Sequence, residues 1–142
     1  RGGASVVTAY VDADATTPDL AALFTAADSA DLIVLGSYVN ISSTTASATA
    51  PAAFAAMIDG LLARKRAVIL VAFGSPYVLL QAPAVPSYLI AWGGHTASQR
   101  AAARALLGTI PVSATLPISI PPLLPLGAGE RRSIGTGLPP PH

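Results

Sequence analysis

The 142-residue chain contains no cysteine, which excludes disulfides, thiolate nucleophiles and cysteine-ligated metals, and leaves the redox compartment open. Charge is scarce as well: eight Lys and Arg against seven Asp and Glu give a net charge of +1. That balance supplies no field for nucleic acid, so nucleic acid is discarded as a partner. No purely apolar run is longer than Ala67 to Phe73, which has the length of a strand, whereas a spanning helix needs about 20 apolar residues. No membrane span is expected. Neither GxxxxGK[ST] nor GxGxxG after a strand occurs, so nucleotide binding has no support and no cofactor is expected. A GxSxG nucleophile elbow is also missing.

What the chain does have is apolar bulk, 52% of residues, much of it alanine. Its length suits one domain with a single core. The chain opens Arg1-Gly2-Gly3, with neither an initiator Met nor a charged-then-apolar leader, which reads as a processed product or an excerpt.

From Ser5 to about Leu107, strand-like and helix-like runs alternate, the signature of a parallel sheet with crossover helices. Ser5-Val6-Val7-Thr8-Ala9-Tyr10-Val11 is rich in β-branched residues and reads as a first strand. A helix should follow, with Thr17 as cap, Pro18 at its first position, and Leu20, Leu23, Phe24 and Ala27 on one face. Leu32 to Leu35 reads as an interior strand. After a Ser/Thr-rich loop from Val39 to Thr49, Phe54, Met57, Ile58, Leu61 and Leu62 recur at helical spacing. The basic run Arg64-Lys65-Arg66 complements the negative end of that helix, and Ala67 to Phe73 forms the third strand.

Gly74-Ser75-Pro76-Tyr77 predicts a tight turn, with Ser75 capping a short helix that ends near Gln81. Tyr88 to Trp92 is the fourth strand. Gly93-Gly94-His95 leads to a helix with a capping box at Thr96 and Gln99, closed by Gly108. Beyond it, Ile110-Pro111 and Leu116 to Ile120 mix strand residues with prolines, giving an edge strand or extended arm. Residues 130–142 read as a disordered Pro/Gly-rich tail, so the domain is placed at 1–129.

Ligands of open parallel sheets bind beyond the carboxyl ends of the strands. That rim should present Asn40, Ser42, Ser75, Tyr77, Trp92 and His95, together with Ser43 and Thr44. Aromatic faces beside hydroxyls and amides suit a sugar, whose C–H face stacks while its hydroxyls find partners. The same residues are also ordinary loop composition. Asp12 and Asp14 read as solvated turn carboxylates rather than a metal site, and His95 as a turn or capping residue. The remaining acids, Asp19, Asp28, Asp31, Asp59 and Glu130, form no convincing pair for glycoside hydrolysis.

Three segments taken in order carry a family resemblance: Ala30 to Val39, Phe54 to Tyr77, and Ser98 to Gly108. With Leu116 to Pro121 and Pro125 to Gly129, they resemble the C-terminal domain of family 3 glycoside hydrolases, particularly the bacterial β-N-acetylhexosaminidase-like branch. The resemblance implies a flavodoxin-like α/β fold, a three-layer α/β/α sandwich with a mostly parallel sheet, here without its first strand and helix. It implies an enzyme that hydrolyses O-glycosyl bonds, with its nucleophile on an N-terminal (β/α)8 barrel as this domain's partner. A periplasmic or secreted location follows from the resemblance alone. In the β-glucosidase branch an acid/base Glu sits on a loop of this domain, but the counterpart here, Val39 to Thr49, has no acidic residue. No catalytic residue carries over, and the chain alone is expected to be inactive, with carbohydrate contact at the rim as its possible contribution. A free-standing flavodoxin-like module that binds a small molecule or a partner is the alternative.

Overall fold

The computed structural model describes residues 5–12, 14–39 and 50–136. Among the described residues, three helices alternate with a three-stranded sheet: α1 (Thr17–Asp28), β1 (Ile33–Ser37), α2 (Ala52–Ala63), β2 (Val68–Ala72), a 3-10 turn (Pro76–Gln81), β3 (Ser87–Ile90) and α3 (Thr96–Leu106). The sheet is wholly parallel in the order β1-β2-β3, with Ile33 opposite Val68 and Leu70 opposite Tyr88. This is an α/β sandwich.

Side-chain alternation along β2 assigns the two covering layers. Val68, Leu70 and Ala72 face α1, α2 and the 3-10 turn, where Ile58, Leu61 and Val78 are fully buried. Ile69, Val71 and Phe73 face α3 and pack on Ala102, Leu89 and Leu106. All five β2 residues are buried, as the continuous apolar run requires of a central parallel strand.

Gly60 sets the approach of α1 to α2, since a Cβ there would fall 2.7 Å from the Phe24 ring. Arg64 closes the same contact from outside, its guanidinium 4.2 Å from the centre of that ring. Arg66 donates to the Asp28 carbonyl at 3.1 Å, satisfying an orphan acceptor at the end of α1. The basic run therefore lies beyond α2 and ties α1 down, rather than occupying the last turn of α2. Lys65 adopts φ 55° at the position after the C-cap, where its N–H meets the Leu62 carbonyl and that of Arg66 meets Leu61.

Three local expectations are corrected. Ser5 to Val11 is not a strand but coil, with Val6 79% and Tyr10 97% exposed. Its β-branched residues meet no neighbouring strand, and β propensity is mostly cross-strand packing. The cap of α1 is Thr16 rather than Thr17: the Asp19 carboxylate accepts the Thr16 hydroxyl and, at 2.8 Å, the Thr16 N–H, and these bonds, the hydroxyl's first, hold its pKa below the usual carboxylate value. The Thr96–Gln99 box does not form, because His95 is the N-cap and Gln99 Nε2 donates to the Gly94 carbonyl at 2.8 Å. Gly108 does close α3, at φ 67°, with Thr109 N–H on the Arg104 carbonyl.

The segment after α3 is an extended arm rather than a strand of the sheet. Leu116 and Ile120 pack on Leu79, with Val85, Tyr88 and Ile90 around them. Isolated antiparallel bridges join Ile120 to Leu124 and Val112 to Arg132. Residues 130–136, expected to belong to a disordered tail, lie instead against the start of the arm, and Gly135 N–H reaches the Gly108 carbonyl at 2.8 Å. The rest of that tail lies outside the described residues.

Candidate functional site

The carboxyl ends of the three strands make one rim. The register that sets Ser37 opposite Ala72 brings the next residues, Tyr38 and Phe73, side by side. Their rings stack with centroids 4.9 Å apart and planes 15° from parallel. Phe73 is buried and Tyr38 is 52% exposed, so the pair forms a step with one ring in the core and one at the surface. Gly94 backs this step, since a Cβ there would lie 3.2 Å from the Tyr38 ring.

Trp92 follows β3 with φ 63° and a half-exposed side chain. A bulky residue in the left-handed region costs on the order of 1–2 kcal/mol, and strain of this sort collects at sites where the surroundings over-determine the backbone. Trp92 also stands at one end of an open, mostly apolar groove of about 340 Å³ between β3, α3 and the arm, lined by Leu89, Ala91, Ala101, Ala105 and Val112.

Of the expected rim residues, Ser75 is buried and structural. Its hydroxyl accepts the Tyr77 N–H at 3.3 Å, and its own N–H meets the Val39 carbonyl at 2.6 Å. Tyr77 is exposed at the start of the 3-10 turn, and His95 is exposed at the start of α3 without a side-chain cap bond. Asn40 and Ser42 lie outside the described residues, as do Ser43 and Thr44. Ala50, which follows them, is clamped by the Gln81 amide, which accepts from its N–H at 2.6 Å and donates to its carbonyl at 3.0 Å.

Asp12 accepts the Asp14 N–H at 3.0 Å, the behaviour of a turn carboxylate. Among the described residues no three His, Asp or Glu side chains gather where they could hold a metal ion. No helix among them is long and apolar enough to cross a membrane. Tyr38 and Phe73 do not stand among the rim residues read from the sequence, where Phe73 closes the third strand and Tyr38 ends the second. Each directly follows the last residue of its strand, a position fixed by the β1–β2 register rather than by the residues themselves.

The fold and rim define a parallel α/β sandwich with an aromatic edge at the carboxyl ends of its strands. No family model, curated protein or solved structure matches the chain.

Proposed function

We propose that the chain is the accessory C-terminal α/β domain of a β-glycosidase of the family 3 type, acting on N-acetyl-β-hexosaminides or β-glucosides. The nucleophile belongs to a (β/α)8 barrel outside these 142 residues, and this domain contributes scaffold and sugar contact. The observation that carries the reading is the aromatic rim: Tyr38 stacked on Phe73, and Trp92 exposed on a strained backbone at the end of β3. Flat rings beside hydroxyl- and amide-bearing loops are what a pyranose needs, since its apolar face stacks and its rim hydrogen-bonds.

The test uses a chromogenic N-acetyl-β-glucosaminide with the complete enzyme and with this chain alone. The complete enzyme should turn over and the isolated chain should not. Trp92→Ala in the complete enzyme should raise KM about 2- to 10-fold, the loss expected for one aromatic contact. Turnover by the chain alone, or unchanged kinetics in the variant, would remove the assignment.

The groove along β3 favours a second reading, a free-standing flavodoxin-like module that binds a small apolar molecule or a partner, since about 340 Å³ lies within the range of ligand sites. Ligand binding to this chain with no barrel present, weakened by changes at Ala101 or Ala105 rather than at Tyr38, would favour that reading over the first.

A further inference from the structure

One wall of the groove between β3, α3 and the arm is main chain. Ala91 donates to the Ala72 carbonyl, so Ser87, Leu89 and Ala91 turn their backbone groups toward β2. By alternation, those of Tyr88 and Ile90 point away from it. Ile90 lines the groove, yet its side chain belongs to the Leu79, Leu116 and Ile120 cluster, on the face of the sheet opposite the Leu89 and Ala91 side chains. What Ile90 offers the groove is therefore an N–H and a C=O side by side. Neither has a backbone partner among the described residues.

The other walls are small and uncharged. Leu89 and Ala91 form the floor, and Ala101 and Ala105 leave the α3 side without bulk. Among the described residues no charged side chain lines the groove, and its hydroxyls are those of Ser98 and Ser113. At one end stands Trp92, at the centre of a γ-turn of the strained, positive-φ kind: its φ is 63°, and Gly93 N–H meets the Ala91 carbonyl at 2.9 Å. Strain of this sort persists only where the surroundings hold it, and here it fixes an indole at the groove's end.

A donor and an acceptor set side by side in an apolar wall match a ligand with the complementary pair on one edge. Small walls, an indole and the lack of charge match a flat, neutral ring. We infer that the groove takes a planar, uncharged heterocycle with a lactam-type edge, whose C=O accepts from the Ile90 N–H and whose N–H donates to the Ile90 carbonyl. This rests on the reading of the groove as a ligand site, and not on the glycosidase reading. A partner strand fits less well. Tyr88, the other outward residue of β3, does not line the groove, and the γ-turn at Trp92 ends the strand, so an added strand would find one residue to pair with.

The test is an NMR titration of the chain with 2-quinolone, with N-methyl-2-quinolone, which has lost the donor, and with a blocked trivaline peptide. 2-Quinolone should shift the Ile90 amide and the indole N–H of the single tryptophan together. N-methyl-2-quinolone should bind at least about tenfold more weakly. Ala101→Leu, at an exposed position, and Ala105→Leu both fill the groove and should each weaken 2-quinolone about tenfold. Equal binding of the two quinolones would overturn the lactam edge and leave the groove a ligand site, whereas no shift with either would remove both readings. Tighter binding of the peptide would give the edge to a partner strand and overturn the inference as well.

Discussion

The first and last described stretches, 5–12 and 110–136, both lack helices and ladder-forming strands, yet they are held very differently. Residues 110–136 are tied to the body by Leu116 and Ile120 in the core and by paired backbone bonds between Val112 and Arg132. Residues 5–12 have one partly buried contact, Val11, and otherwise lie exposed. The sequence suggests the opposite, since the N-terminal stretch is β-branched and the C-terminal stretch is rich in proline. Order in a segment without ladders comes from what its side chains are buried against, not from its propensities.

The largest test of that contrast is a pair of truncations. Ile120 is fully buried, and Ile120→Ala should lower unfolding stability by about 2–5 kcal/mol, whereas Val6→Ala should cost less than about 1 kcal/mol. Urea melts of the two variants measure the difference, and equal costs would break the comparison.

Tyr88 sharpens it on the arm's side. Its hydroxyl donates to the Pro76 carbonyl at 2.7 Å beside the Ile120 cluster, and burial pushes its pKa well above the usual tyrosine value. Because the folded state favours the neutral phenol, its stabilisation is complete below the unfolded pKa of about 10 and is lost as pH rises beyond it. Tyr88→Phe should cost about 1 kcal/mol at neutral pH and flatten the fall in melting temperature above pH ~10.

The smallest effect belongs to the N-terminal half. Lys65 holds a left-handed backbone at the turn that anchors α1, so Lys65→Gly should stabilise the fold by about 0.5–1 kcal/mol. A loss of stability would show that the lysine side chain has a role beyond the turn.

Much of the body was legible in the sequence because its signals were local and periodic. The apolar run of β2, the helical spacing from Phe54 to Leu62, the Ser75–Pro76 start of the 3-10 turn and the Gly108 stop all stand where the pattern sets them. The Ser5–Val11 run was misjudged because a strand exists only with a neighbour, and no residue in the run says whether one is present. The arm was under-read because backbone pairs such as Val112–Arg132, twenty residues apart in the chain, leave no period. At the rim, Trp92 was legible as an aromatic at a strand end. The Tyr38–Phe73 stack depended on the β1–β2 register, which side-chain patterns do not set to the residue.

The Gln81 clamp on Ala50 and the Ser75 bond to Val39 hold both ends of the connection 40–49 against a single short turn. Its closure is thus secured by contacts outside it, and each doubling of such a connection costs only about 0.6 kcal/mol. Lengthening that connection should therefore cost the sheet little. Val39 and Ala50 thus belong to the body as anchor points, so a graft between them inherits a prepared attachment.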